Sequence, residues 1–276
     1  MNVYDYGNRM YDPADGRWWQ TDEKAEFYVS ASPYSYALNN PVNAIDPDGK
    51  LVIFVNGYFS RAGNIVGLAP GAPLKPYWDF FSSQAISSAS DFLGASSKEG
   101  NYFVDGSSYV GFDQSGGDRY ENGYEYAEKN YTSIISQMAE GETLKFVGHS
   151  EGSAFAAGMM AYFLDRGMND ASTPKVESSL HLSPDEADEF SLPDYGGTDY
   201  QIHNDNDPVS PFYELKGAEY IFKGNKSSKS VAHGGTVTKK AINNLKAAIE
   251  AFINSSDTKK KETEEGTIYY KDPAEQ

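Results

Sequence analysis

The sequence predicts an α/β protein built on a mostly parallel sheet with helices on both faces. From residue 51 onward, apolar strand-like segments alternate with helix-like segments, which is the pattern of parallel sheets. The segment 51–57, LVIFVNG, is apolar with almost no interruption, as a strand buried on both faces would be. Residues 1–50 differ, because aromatic side chains alternate there with Gly, Asp, Asn and Pro, which predicts short strands separated by turns.

These patterns divide the chain into three segments. Residues 1–50 are the aromatic, turn-rich segment, 51–256 carry the alternating strands and helices, and 257–276 form a charged tail that we expect to be disordered. After the first strand, the predicted elements of the middle segment are a helix over 118–142, a strand over 143–148, a helix over 153–167 ended by Gly167, strands over 175–184, 198–204 and 218–224, and an amphipathic helix over 236–254.

The composition excludes several functions. The 276 residues include 40 Asp and Glu against 23 Lys and Arg, and the formal net charge of −17 repels nucleic-acid phosphates. There is no cysteine, so disulfides, thiolate metal sites and thiol catalysis are excluded. The histidines show no H-E-x-x-H spacing, and we expect neither a metal nor a cofactor. No apolar run approaches the roughly 18 residues of a membrane span, and the N-terminus lacks a secretory-signal pattern.

The segment 148–152, GHSEG, has the pattern G-x-S-x-G, which is weak alone because glycine and serine are common here. Its surroundings are more specific, since an apolar strand precedes it and a helix that begins with small residues follows it. In such a strand–turn–helix the serine is held in a strained, exposed conformation, and the helix N-terminus points at a developing oxyanion. We therefore predict that Ser150 is a nucleophile, and the alternative is a serine in an ordinary turn.

A serine nucleophile needs a histidine base, and on this kind of turn the order along the chain is Ser, then Asp or Glu, then His. Among the four histidines, only His233 lies in a glycine-rich loop between the last strand and the last helix predicted before the tail. His149 occupies the variable position of the turn and cannot fold back onto its neighbour's hydroxyl. His181 lies within a predicted strand, and His203 lies at the end of another. His233 is therefore the predicted base.

The carboxylate that orients the base is expected just past the end of a strand, where NDNDP offers Asp205 and Asp207. We favour Asp207 and keep Asp205 as the second choice, although aspartates in such loops most often form turns or helix caps. A rival triad of Ser150, Asp185 and His203 has the same chain order. It would place its histidine on a strand end without a loop that could move.

An oxyanion formed at Ser150 needs two backbone donors. One is expected to be the amide of Glu151, directly after the nucleophile. The other should come from the loop after the first strand, so the amide of Gly57 or Tyr58 is predicted, with a plain turn as the alternative. The long segment 60–118 that follows is rich in aromatic residues. Its apolar side chains could line an acyl pocket or form a packed core, and they include Tyr77, Trp78, Phe80, Phe81, Phe92 and Leu93.

The N-terminal segment resembles a known family. YDYGNRMYDPADGRWWQTD followed by SPYSYALNNPVNAIDPDG, within residues 1–49, is similar to the C-terminal end of the core in Rhs (rearrangement hotspot) and YD-repeat proteins. The resemblance implies a short β-rich remnant of that core, followed by a variable C-terminal domain that is often a toxin. It also implies a bacterial effector, exported or delivered to another cell, with a cognate immunity protein as a partner.

Residues 51–254 resemble the α/β-hydrolase superfamily, lipase-like branch, in GHSEGS, NDNDPVSP and SVAHGG. The resemblance implies a serine esterase or lipase in which Ser150 attacks an acyl carbonyl, His233 transfers the proton and Asp207 orients the imidazole. Its substrate would be a lipid or another acyl ester, with phospholipids among the candidates. The second hypothesis is a catalytically inactive, hydrolase-like binding or adhesion module.

Overall fold

A computed structural model describes much of the chain, in separate ranges. They are residues 4–5, 10–12, 15, 17–19, 51–57, 77–78, 82–95, 101–107, 115–138, 142–204, 207–208, 210–224, 232–255, 259–264 and 266–272.

A small antiparallel sheet lies near the N-terminus. It consists of β1 (Tyr4–Asp5), β2 (Met10–Asp12) and β3 (Arg17–Trp18). These strands fall in the segment where the sequence predicts short strands and turns. Apart from Asp15 and Trp19, the rest of residues 1–50, including the Asp-Pro-x-Gly motif, lies outside the described residues.

The second sheet has eight strands within the described residues. They are β4 (Val52–Asn56), β5 (Asn101–Asp105), β6 (Leu144–His149), β7 (Val176–Leu182), β8 (Thr198–Asn204), β9 (Tyr220–Gly224), β10 (Lys260–Thr263) and β11 (Gly266–Tyr270). Their order is β10-β11-β9-β8-β7-β6-β4-β5. All neighbours from β5 to β9 are parallel, whereas β11 pairs antiparallel with β9 and β10 with β11. The prediction of a mostly parallel sheet is confirmed.

Helices cover both faces of this sheet. The described helices are α1 (Ala85–Phe92), α2 (Gly116–Ile135), α3 (Gly152–Asn169), the single turn α4 (Ala232–Gly235) and α5 (Lys239–Ile253). Alternate residues of β4 separate the two cores: Val52 and Phe54 pack with α1 and α5, whereas Ile53 and Val55 pack with α2 and α3. This double burial explains the uninterrupted apolar sequence of β4 and gives an α/β-hydrolase-like fold, as expected.

The strand order reverses at β4. From β4 the chain moves outward to β5 and then returns past β4 to β6, so the connections after β4 and β5 run in opposite directions across the sheet. In open parallel sheets, sites form at the carboxyl ends of strands beside such a reversal. Gly57 follows the end of β4 and Ser150 follows the end of β6. The topology therefore places both residues at the expected crevice.

Two described elements lie where the sequence predicts only a long connection. The helix α1 and the strand β5 both fall within 60–118, and the parallel pairing of β5 with β4 makes it the outer strand of the sheet. Half-exposed residues interrupt the apolar pattern of β5, which is why its sequence gives a weak strand signal. The helix α3 also continues past Gly167 to Asn169, so the prediction that Gly167 ends it is wrong.

The aromatic residues of this segment belong to the packed core where the structure describes them. Tyr77, Trp78 and Leu93 are buried among residues of the sheet, α1 and α5, and Phe92 packs against that cluster. The Trp78 ring contacts Phe54 edge-on with ring centroids 5.1 Å apart. Of the two interpretations, the packed core holds for these four residues. Phe80 and Phe81 lie outside the described residues.

The prediction of a disordered tail over 257–276 is wrong for the two strands β10 and β11. They form a hairpin whose second strand, GTIYY, pairs with β9 and buries Ile268 completely. The charge of the segment misled the sequence interpretation. The charged residues of the hairpin strands, Lys260, Lys261 and Glu262, lie on β10, the outermost described strand, whereas β11 has none.

The helices α2 and α3 approach each other at glycines. A Cβ atom added to Gly158 would lie 1.8 Å from the carbonyl oxygen of Tyr120, and one added to Gly123 would lie 2.0 Å from that of Phe155. No side chain fits at these distances, so the two glycines set how closely the helices pack. Gly167, by contrast, is exposed on α3, and the nearest atom to an added Cβ is 4.0 Å away.

We predict that Gly158→Ala lowers the free energy of unfolding by about 3 kcal/mol, because the two helix backbones must separate. The matched variant Gly167→Ala on the same helix should raise it by about 0.5–1 kcal/mol, since alanine is the better helix former. Urea unfolding of both variants measures the difference. Equal effects of the two substitutions would contradict the packing seen between α2 and α3.

Candidate active site

Ser150 lies in a strained turn between β6 and α3. Its φ angle is +55°, in the left-handed region that few residues other than glycine adopt. The turn is held from both sides, because the Ser150 amide donates to the Leu182 carbonyl at 3.0 Å and the Ser153 amide donates to the Ser150 carbonyl at 3.0 Å. The helix α3 begins at Gly152, so its positive end lies beside the serine. This is the strand–turn–helix that the sequence predicts, although Ser150 is buried and not exposed as expected.

Three glycines allow the backbone segments around Ser150 to meet. An added Cβ would lie 2.7 Å from Ser153 Cα at Gly148 and 2.4 Å from the Val55 carbonyl oxygen at Gly152. At Gly57 it would lie 2.7 Å from Ser150 Cβ. Each position requires the absence of a side chain, and together they bring the end of β4 against the turn after β6.

Asp207 and His233 are joined directly. His233 Nδ1 lies 2.8 Å from Asp207 Oδ2, and the Asp207 side chain is fully buried. The other carboxylate oxygen, Oδ1, accepts a hydrogen bond from the Ser210 amide at 3.1 Å. Because both oxygens are engaged, the orientation of the carboxylate is fixed. In this arrangement Nδ1 of His233 carries a proton and donates it to Asp207 Oδ2. Asp205, the second choice for the acid, lies outside the described residues.

Ser150 lies beside this pair without a direct hydrogen bond to it. Its chain neighbour His149 contacts His233 both through the rings, whose centroids are 4.8 Å apart, and from Nε2 to the His233 carbonyl oxygen at 3.4 Å. Among the contacts of the described residues, however, no hydrogen bond joins Ser150 Oγ to His233. Catalytic hydrogen bonds are often long in sites without substrate. A triad of these residues would need His233 to come within hydrogen-bond distance of Ser150 Oγ.

The predicted oxyanion donors have different surroundings. The Glu151 amide lies near the turn, 3.1 Å from the position of a Cβ added to Gly57. The Gly57 amide instead donates to the hydroxyl of Tyr77 at 3.3 Å, so in this arrangement it is engaged by a side chain. Tyr58 lies outside the described residues. The identity of the second donor stays a prediction.

A buried arginine on α2, Arg119, which the sequence analysis did not single out, supports the turn. Arg119 Nη2 contacts Glu151 Oε1 at 3.0 Å, and Nη1 donates a short hydrogen bond to Glu186. Glu186 itself has a left-handed φ of +50°. Arg119 thus ties the residue after Ser150 to the loop after β7. No local pattern marks this residue, because its partners lie 32 and 67 positions away in the chain.

Asp185 and His203, the acid and base of the rival triad, do not form a hydrogen-bonded pair among the described contacts. Burial raises the pKa of Asp185, whereas the charges of Arg119 and His233 act in the opposite direction, so Asp185 lies near those two groups. His203 is buried in β8, with its ring 5.1 Å from that of Phe212. His233 with Asp207, and not His203 with Asp185, is the hydrogen-bonded histidine–carboxylate pair among the described contacts.

A second polar cluster is buried between β7 and β8. Ser179 Oγ lies 2.8 Å from His181 Nε2 and donates a short hydrogen bond to Asp199, which also accepts one from the Tyr195 hydroxyl. Burial lowers the pKa of His181 to about 3 and raises the pKa of Asp199 to about 7. The serine lies between the histidine and the carboxylate, so His181 cannot be oriented by Asp199 as a catalytic base would be.

Within the described residues, no three His, Asp or Glu side chains cluster in a way that could hold a metal ion. In the same part of the chain, no helix is long and apolar enough to cross a membrane.

Comparison with known proteins gives a short sequence match and several structural ones. No family model matches the chain. It is 43% identical over 70 residues to salivary gland surface protein 1 of Aedes aegypti, a match that spans 25% of this chain and 2% of that protein.

Three similar solved structures are hydrolases by description. One is a cell surface hydrolase from Lactobacillus plantarum WCFS1 (TM-score 0.41, 11% identity, 74% of this chain and 92% of that one). A second is a hyperthermophilic esterase from the archaeon Pyrobaculum calidifontis (TM-score 0.42, 12% identity, 75% of this chain and 78% of that one). A third is a hydrolase from Agrobacterium vitis S4 (TM-score 0.41, 12% identity, 75% of this chain and 89% of that one).

We predict that Arg119→Met lowers the free energy of unfolding by about 3–5 kcal/mol, because it leaves carboxylates without their buried partner. Lys129→Met on the same helix is the matched control. Lys129 pairs with Glu125 in full contact with water, and its loss should leave stability unchanged. Chemical unfolding of both variants tests the prediction, and a stable Arg119→Met protein would contradict it.

Asp199 should make stability fall with rising pH. Its pKa is about 7 in the folded protein against 3.8 ordinarily, so between pH 4 and pH 7 unfolding releases a proton. The difference is about three pKa units, or up to about 4 kcal/mol. We expect Asp199→Asn to gain stability relative to the wild type over this range, with the gain complete above pH 7. The contribution of His181 to the pH dependence of stability is present in both proteins, so it cancels when their stabilities are subtracted. A difference that does not change with pH would contradict the prediction.

Proposed function

We propose that the chain is a serine hydrolase that cleaves acyl esters, with Ser150 as nucleophile, His233 as base and Asp207 as the orienting acid. The observation that carries the proposal is the Asp207–His233 hydrogen bond of 2.8 Å, at the ends of β8 and β9. It lies beside a serine held at φ +55° at the end of β6. The three residues follow the chain order that this strand–turn–helix requires.

The chemistry follows from these positions. Ser150 Oγ attacks the acyl carbonyl carbon as His233 Nε2 accepts the hydroxyl proton, and the buried carboxylate of Asp207 stabilises the imidazolium. The carbonyl oxygen becomes an oxyanion that accepts hydrogen bonds from the Glu151 amide and the start of α3. His233 then gives its proton to the departing alcohol, which leaves an acyl-serine. Water attacks the acyl-serine while His233 accepts its proton. The bond between Ser150 Oγ and the acyl carbon then breaks, Oγ takes that proton from His233, and the carboxylic acid is released.

The proposed substrate is a lipid ester, and the proposed setting is an effector domain behind an Rhs-type core. The resemblance of residues 1–49 to the end of that core supports the setting, which includes a cognate immunity protein as partner and delivery to another cell. The net charge of −17 favours a neutral or zwitterionic lipid, such as a zwitterionic phospholipid, over a densely anionic surface.

The second candidate function is an inactive, hydrolase-like binding module. Two observations favour it: Ser150 has no hydrogen bond to His233 among the described contacts, and the Gly57 amide is engaged by Tyr77. In this alternative the fold is retained but the serine is never activated.

A fluorophosphonate probe separates the two candidates, because an activated serine oxygen attacks the phosphorus atom of the probe and displaces fluoride. We expect the wild type to be labelled at Ser150, and both Ser150→Ala and His233→Ala to lose labelling. Turnover of a short soluble ester should fall on the order of 10⁴-fold in each. Ser153→Ala, at a buried serine at the start of α3, is the matched control and should retain both.

The outcomes distinguish the candidates clearly. No labelling of the folded wild type, in buffer or with detergent micelles present, would support the binding module. Labelling that persists in Ser150→Ala would show that another residue is the nucleophile.

A further inference from the structure

His149 is buried completely between the nucleophile and the base, and the proposed mechanism gives it no role. We propose that His149 is a positioning residue, which ties the backbone of His233 to the nucleophile turn through a hydrogen-bond chain that begins at Gly57. This inference rests on the proposed serine hydrolase activity. Its evidence is the set of contacts that His149 makes with Tyr77, Trp78 and His233.

The direction of this hydrogen-bond chain follows from the groups that can only accept. Burial, with the nearby His233 as a second cause, holds the pKa of His149 well below its ordinary value, so the ring is neutral and carries one N–H. Nε2 faces the carbonyl oxygen of His233 at 3.4 Å, and a carbonyl can only accept, which assigns the proton to Nε2. Nδ1 then accepts from the Tyr77 hydroxyl.

Tyr77 completes the chain at its other end. Burial raises the pKa of the Tyr77 hydroxyl far above its ordinary value, so it keeps its proton and donates it to His149. The Tyr77 oxygen in turn accepts the Gly57 amide at 3.3 Å. The result is a directional series of hydrogen bonds from the Gly57 N–H to the His233 carbonyl oxygen, in which Tyr77 and His149 each accept one hydrogen bond and donate the next.

This hydrogen-bond chain reaches His233 at a different atom from the one that Asp207 contacts. Asp207 fixes Nδ1 of the His233 ring, whereas His149 contacts the His233 backbone and lies against its ring. Thr236 also donates to the same carbonyl, at 3.0 Å, but it lies directly after α4 and only three residues from His233. His149 is thus the contact that relates this turn to Ser150, its own chain neighbour.

A neutral ring suits this position. During the proposed reaction His233 becomes an imidazolium, and a second positive charge with its ring centroid 4.8 Å away would oppose that step. Tyr77 and Trp78 enclose His149, with ring centroids 5.7 Å and 6.3 Å from it, and so help to keep it dry and uncharged.

The test compares two substitutions of His149 with turnover of a soluble ester as the readout. Glutamine offers an amide oxygen and an N–H that can replace the two ring nitrogens, whereas leucine offers neither. We expect His149→Leu to lower kcat by about 10- to 100-fold with KM unchanged, because small displacements of a catalytic group cost this much. His149→Gln should recover most of kcat.

Melting temperatures of all variants separate positioning from stability, since a purely structural role would lower Tm and leave kcat of the folded protein intact. Wild-type kcat in folded His149→Leu, or equal kcat loss in the leucine and glutamine variants, would overturn the inference. Failure of the wild type to turn over esters or bind the fluorophosphonate probe would instead overturn the proposed function, so the two failures are distinct.

Tyr77→Phe gives an independent test that keeps the aromatic ring in the core. It removes the hydroxyl that fixes Nδ1 of His149, and we expect kcat to fall by about tenfold with KM unchanged. Unchanged kcat in the folded variant would overturn the inference. So would a rise in kcat, because it would mean that Tyr77 withholds the Gly57 amide from the oxyanion.

Discussion

The close approach of three backbone segments around Ser150 is the constraint on which the rest of the site depends. The end of β4, the end of β6 and the start of α3 meet at Gly57, Gly148 and Gly152, where an added Cβ would lie only 2.4–2.7 Å from a neighbouring atom. Because these segments meet, the positive end of α3, the loop after β4 and the strained serine share one crevice. The parallel sheet supplies the framework, since it places the carboxyl ends of β4, β6 and β8 along one edge.

Buried polar groups then hold this crevice in one arrangement. Arg119 joins the two loops beside the serine, and the series through Tyr77 and His149 joins the loop after β4 to the turn that carries His233. Apolar residues of similar size would pack at least as stably in many such positions. What the polar groups add is direction, because a hydrogen bond fixes an orientation that an apolar contact leaves free.

Most of the sheet and the proximity of Asp207 and His233 were predictable from the sequence, for a physical reason. Alternating apolar strands and helices predict a parallel sheet, and residues that follow the strand ends then converge at one edge, where these two side chains form a hydrogen bond. Arg119 and Tyr77 could not be found in this way, because their partners are distant in the chain and no local periodicity records a long-range contact. The charge of residues 257–276 led to a wrong prediction of disorder for β10 and β11, because charged side chains also occur on exposed strands.

The hairpin of β10 and β11 has a consequence for how molecules meet one another. With β11 paired to β9, the unpaired backbone groups of the sheet on this side belong to β10, a strand of four residues that carries Lys260, Lys261 and Glu262. A second chain that added a strand here would have to bring its own backbone against these charges and strip water from them. Among the described strands, the hairpin therefore ends the sheet with a charged edge that discourages edge-to-edge aggregation, two strands away from β9, the strand that leads to His233.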